Sequence, residues 1–203
     1  MHNRVIVAPA VEPITLAEAK QHLRVSTTDQ DTLITALIQA AREYVELYCG
    51  RSLITQTREQ TDDSFYDAAW HHAQRLYYGP VQSITSIQYV DMNGDLQTVD
   101  TSIYTYNLVS DPATFYAAYG KFWPVPRFQK DAVIITYVAG YAGTGSPLDL
   151  RGGVPEMIKT AIKMLVGHYY DNARESSTLA APGLQVVPMG VETLLMPYRM
   201  SIL

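Results

Sequence analysis

This chain of 203 residues has a single cysteine, Cys49. It can form no internal disulfide, and nothing in it asks for an oxidising compartment. Long apolar runs are missing too: none approaches the ~20 residues that cross a bilayer, so no membrane partner is expected. The opening Met1–Pro9 has one early cation, Arg4, and too short an apolar stretch for a secretory signal. The expectation is a protein made in a cytoplasm. Clustered cations are absent as well: net charge is −5 and Lys and Arg never form a run. A sequence-independent grip on phosphates needs such clusters, so specific nucleic-acid binding is not expected. Charged residues are only 17% of the chain, against about 25% in ordinary globular proteins.

What the chain has in plenty is tyrosine, 15 against 4 phenylalanines. Two readings stand side by side. Tyr suits partly wet protein–protein contacts, because it buries a ring and keeps a hydroxyl for a polar partner. It also suits β-strands by propensity.

Ile14 to Arg51 reads as two helices. Thr15 and Glu18 have the spacing of a capping box, predicting a short helix to about Leu23. Ser26, Thr27, Thr28 and Asp29 offer caps for a second helix, with Asp31 in its first turn. Leu33, Ile34, Leu37, Ile38, Ala41, Tyr44, Val45 and Tyr48 then recur at steps of three and four, one apolar helix face. Gly50 stands where the chain leaves the helix left-handed. From Leu53 the period shortens to that of strands: 53–59, Leu76 to Tyr78, Val81 to Val90, 103–109, 114–119 and 132–138. Asn93-Gly94 marks a hairpin loop. Phe122-Trp123-Pro124-Val125-Pro126 is a rigid aromatic–proline link. Residues 140–153 are glycine-rich loop. Pro155 suits the first position of a helix whose face is Met157, Ile158, Ala161, Ile162, Leu165, Val166 and Tyr169. Residues 176–190 lack periodicity and read as an extended arm, before large apolar residues return from Val191 to Tyr198. That end either folds back on its own core or docks on another chain. The expected fold is α+β: an N-terminal helical part (1–52), an inserted antiparallel β domain (53–141), a loop and late helix completing a small helical bundle (142–175), and a C-terminal arm (176–203).

Chemistry finds little to stand on. His71-His72 are adjacent, so on a strand they face opposite ways, and no further ligands complete a metal site. His168 and Asp171 can touch at helical spacing but lack a nucleophile. Cys49, at a helix C-terminus, lacks an activating positive setting. Gly143-Thr144-Gly145-Ser146-Pro147 lacks the Gly-Lys-Ser/Thr ending of a phosphate loop. Asp62-Asp63 and Asp91/Asp95 lack calcium-loop spacing. No cofactor, no metal and no catalytic activity are expected.

The ordered set of pieces resembles the long form of the bacteriophage head–tail connector (adaptor) proteins, the gp6-like and gp8-like neck family. The resemblance rests on Ile14-Thr15-Leu16-Ala17-Glu18-Ala19-Lys20, His22-Leu23-Arg24-Val25, Asp31-Thr32-Leu33-Ile34 and Ala40 to Glu46 leading to Gly50-Arg51. It continues through Gly79-Pro80-Val81, Tyr137 to Tyr141, Val154-Pro155 with Ile158, Lys159, Ala161, Ile162 and Tyr169, and Leu194 to Arg199. It implies a structural virion protein of the head–tail junction: a ring, commonly a dodecamer, under the portal protein, extending the DNA channel and docking the next neck or tail-terminator protein. DNA would pass through without specific binding, which an acidic wall favours. Carried over by position, Leu194, Leu195, Met196, Tyr198 and Arg199 would bind the portal, and Tyr44, Tyr48 and Tyr169 would meet neighbouring subunits. Two other expectations compete with it. One is another neck or tail-completion protein; the other is a β-domain carbohydrate- or peptide-binding module with Trp70 and Trp123 as its platform.

Overall fold

The computed structural model describes residues 2–65, 73–145, 148–175 and 189–200. His71, His72 and Trp70 lie outside them, as do Ser146, Pro147 and residues 176–188 of the expected arm. The chain forms two compact units, one of residues 1–10 and 55–141, the other of 11–54 and 142–203.

The first unit is antiparallel β. Its larger sheet has the order β1-β2-β8-β4-β5, from β1 (His2–Val7), β2 (Gln56–Asp62), β8 (Val133–Ala139), β4 (Val81–Val90) and β5 (Leu96–Thr98). The smaller sheet is β3-β7-β6, from β3 (Ala73–Leu76), β7 (Ala113–Ala117) and β6 (Tyr104–Asn107). The alternation along β8 decides which way this strand faces, with Val133, Ile135, Tyr137 and Ala139 all buried. They share one core with Ile87, Leu76, Phe115 and Trp123. The hairpin from β4 to β5 turns at Gly94, whose φ of 97° a side chain would resist.

β2 departs from the apolar rule. Its register sets Gln56, Arg58 and Gln60 opposite Ala139, Tyr137 and Ile135, and all three are buried. Burial of polar atoms demands partners. Gln60 donates to the Arg75 carbonyl at 2.8 Å and accepts from the Tyr77 N–H at 3.2 Å. Arg58 donates to Asn3 at 2.8 Å and lies 3.9 Å from the centre of the Tyr78 ring. Asn3 donates in turn to the Tyr137 hydroxyl at 2.8 Å. This network ties β1 to the sheet. The sequence reading placed residues 1–52 with the helices; His2–Val7 instead pairs with β2 along its length. The segment is too short, before Pro9, to announce itself as a strand.

The second unit is helical: α1 (Leu16–Leu23), α2 (Asp31–Cys49), α3 (Glu156–Glu175) and α4 (Met189–Leu195), then a 3-10 turn at Met196–Tyr198. The capping box forms as expected, Glu18 N–H to Thr15 Oγ1 at 3.1 Å and Thr15 N–H to Glu18 Oε2 at 2.7 Å. The second set of caps does not: Gln30 holds the N-cap of α2 and no side chain bonds there. Lys20 bridges to Asp31 at 2.6 Å and ties the two helices instead. α2 buries Ile34, Ile38, Ala41, Val45 and Cys49 while Leu33 stays exposed. α3 buries Ile158, Ala161, Ile162, Leu165, Val166 and Tyr170, with Met157 exposed and Tyr169 half-buried.

Gln60→Leu would remove the hydrogen bonds to the Tyr77 N–H and the Arg75 carbonyl inside the β unit. The expected cost is about 1–3 kcal/mol, read as a lower melting temperature by circular dichroism. An unchanged melt would contradict the network's role.

Candidate functional site

Two buried charges organise the end of α2. Arg42 and Glu46, one turn apart, are each 7% exposed and pair at 2.9 Å, while Arg42 also holds Glu12 at 2.8 Å. Burial alone would lower the arginine's pKa, but Glu46 and Glu12 more than offset it, and the net shift is upward. Glu46 then accepts the Leu53 N–H at 2.8 Å, fixing the chain as it leaves the helix. Gly50 makes that exit possible at φ 64°, and its N–H returns to the Glu46 carbonyl.

Against this end lies the C-terminal segment. Val191 and Leu195 are fully buried and Met200 nearly so. Met200 N–H donates to the Cys49 carbonyl at 2.8 Å, and Arg51 Nε donates to the Tyr198 carbonyl at 2.5 Å. A Cβ on Gly50 would meet the Met200 Cβ at 3.5 Å. The segment expected as an extended arm is therefore, from Met189 on, a helix and turn folded back on the helical unit. Gly190 and Pro197 obscure that helix in the sequence. Between the two elements opens a groove of about 510 Å³ lined by Leu47, Tyr48, Cys49, Gly50, Met196, Arg199 and Met200.

Of the five residues expected to bind a partner, Leu195 is core, Leu194 and Tyr198 are half-buried, and Met196 and Arg199 are exposed. The sequence reading missed Leu47, 73% exposed on the opposite wall of the groove. It lies outside the helix's core-facing stripe, and an exposed leucine there was the available signal. The three tyrosines come together. Tyr44 and Tyr48 stack with centroids 6.1 Å apart. The Tyr44 hydroxyl has a raised pKa, through burial first and then through nearby Glu192, Tyr169 and Tyr48. Arg199 sits 5.5 Å over the Tyr48 ring, within cation–π range.

Burial pushes the Cys49 thiol up to about 11, against a smaller opposing pull from Arg51 and Arg199. His168 shares a hydrogen bond with Asn172 at 3.0 Å rather than meeting Asp171. Among the described residues no cluster of His, Cys, Asp and Glu has metal-binding geometry, and no helix is long and apolar enough to cross a membrane. Trp123, offered above as a ligand platform, is buried in the β core and stacked 4.6 Å from Phe65, so it presents no open face.

Residues 12–201 match the family described as head completion protein. The chain belongs to that family. The resemblance to head–tail connectors drawn from the sequence is thus borne out at family level. No curated protein matches. Among solved structures, this head completion protein is similar to a chain of the neck of an empty gene transfer agent particle, computed with C6 symmetry. That likeness has a TM-score of 0.74 at 20% identity, covering 100% of this chain and 97% of the other. The neck of the native particle, computed with C12 symmetry, gives the same TM-score, identity and coverage. A chain of the native virion gives 0.73 at 21% identity, again with 100% and 97% covered. The α+β fold, helices with antiparallel sheets, is that of these neck chains.

Two outcomes follow. Arg42→Ala removes the buried guanidinium that Glu46 and Glu12 both face, an expected loss of about 3 kcal/mol at neutral pH. Urea titrations at pH 7 check this, and an unchanged unfolding midpoint would contradict it. Cys49, for its part, should resist alkylation at pH 8 in the native protein and react fully once unfolded. Stability from keeping that thiol neutral is complete below its ordinary pKa of 9.0 and lost as pH rises towards about 11. Rapid native labelling would contradict the burial.

Proposed function

We propose that this head completion protein is a head–tail connector of the virion neck, made in the host cytoplasm and acting as a structural part rather than a catalyst. It assembles into a closed ring beneath the portal, continues the DNA channel and offers a platform to the next neck or tail protein. The observation that carries this reading is the end-to-end likeness, 100% and 97% of the two chains, to a neck chain from particles solved with C6 and C12 symmetry. The net charge of −5 and the lack of Lys/Arg runs suit a channel wall over which DNA slides.

The groove at the end of α2 is where the portal is proposed to bind. Leu195 serves from within, filling the core and holding the segment in place, while Met196, Arg199, Tyr198 and Leu194 form the contact with Leu47 opposite. Tyr44, Tyr48 and Tyr169, half-buried in the free chain, are proposed to complete their burial against a neighbouring subunit, where rings with one wet edge are favoured.

Native mass spectrometry of the full chain, alone and with the portal protein of the same particle, tests this. A ring of twelve copies, the symmetry of the similar native neck, is expected with portal present. Met196→Asp with Arg199→Glu, both exposed, should keep the fold and lose the portal. A monomer indifferent to portal would refute the connector reading.

A further inference from the structure

The link between β7 and β8 reads Tyr119-Gly120-Lys121-Phe122-Trp123-Pro124-Val125-Pro126-Arg127-Phe128-Gln129-Lys130. Trp123 alone among its large apolar side chains turns inward, packed on Phe65 and edge-on to Phe115 at 5.8 Å. The others face solvent: Tyr119 is 106% exposed, Phe122 85%, Val125 74% and Phe128 104%. A slack loop would let these rings collapse inward. This one is held. The Arg127 N–H donates to the Val90 carbonyl at 2.8 Å and the Lys121 N–H to the Ala118 carbonyl at 2.9 Å. Pro124 and Pro126 fix φ on both sides of Val125. The surface is prepared before any partner arrives, so little ordering entropy is lost on binding.

Its size is that of an interface. Three aromatic rings at 150–250 Å² each, with a valine, offer about 600 Å² of apolar area. That reaches the top of the about 300–600 Å² of the largest apolar patch on a typical monomer and is most of the about 800 Å² one partner gives to a standard interface. Its charge points to the partner. Residues 119–130 carry three cations, Lys121, Arg127 and Lys130, and no acid. The remainder of the chain holds 12 cations against 20 acids, a net −8. The complement, acidic and apolar, is therefore present on the same protein, for example where exposed Met157 stands beside Glu156 on α3.

We propose that the 119–130 loop is a self-association surface, seated on an acidic, apolar surface of a second copy of this chain. A ring closes through a heterologous interface, which needs two different and complementary patches on each subunit, and this loop is one of them. The inference rests on the connector reading above.

Full-length wild type, Phe122→Ser/Phe128→Ser and Lys121→Glu/Arg127→Glu are compared by light scattering and native mass spectrometry, each alone and with portal protein. Circular dichroism melts check the fold, which substitutions at exposed positions should leave unchanged. Both variants are expected to stay monomeric under conditions that give wild-type rings, and wild-type assembly should weaken with added salt. Variants that form rings like wild type, or form rings and fail only to bind the portal or DNA, would overturn the loop's role while leaving the connector intact. A wild type that forms no ring in either condition would tell against the connector itself, and the inference would go with it.

Discussion

The helical unit depends on a pair of charges largely withdrawn from water. Arg42 and Glu46 are buried one turn apart on α2, and such a pair repays its desolvation only when further hydrogen bonds complete it. Here they do. Glu12 takes a second arginine nitrogen, and the Leu53 N–H takes the other oxygen of Glu46. The consequence is geometric. The end of α2 and the chain leaving it are held in one place, and the C-terminal segment has a fixed surface to fold on. Met200 bonds to Cys49, Arg51 bonds to Tyr198, and the groove between Leu47 and Met196 exists because both its walls are held.

The β unit uses polar groups in a similar way. Gln60, Arg58, Asn3 and Tyr137 place donors and acceptors inside a core otherwise made of aliphatic and aromatic side chains. A fully satisfied network specifies one register, since a slip of one residue would turn the buried polar groups to the wrong face. The Tyr137 hydroxyl is pushed up to about 12, by burial above all, and stays a neutral hydrogen-bonding group at any pH the protein meets.

Much of this was legible in the sequence where the signal is local. Thr15 and Glu18 announced a capping box that forms; Gly50 announced a left-handed exit that forms; Val81 to Val90 is a strand with those bounds. Pieces set by distant partners were not. β1 is a strand because Asn3 and its neighbours pair with residues nearly 60 positions away, and nothing inside His2–Val7 says so. Ser26 to Asp29 look like caps, yet the helix starts after Gln30. The C-terminal helix is stabilised by packing against α3 and the end of α2, and its own sequence, with Gly190 inside and Pro197 just beyond, gives weak notice of it. The candidate site shares that history. Tyr44, Tyr48 and Met196 could be named from pattern, whereas Leu47 became part of a groove only when the far end of the chain was seen beside it.

Both units leave large apolar side chains outside: Leu47 and Met196 on the helical unit, Tyr119, Phe122 and Phe128 on the β unit. In the proposed connector, that surface is what assembly would cover. The most direct test is electron microscopy of the full chain mixed with its portal protein, classified without imposed symmetry. Closed rings of twelve copies stacked on the portal are the result this account predicts. Single subunits scattered beside bare portals, or open filaments in place of rings, would contradict it.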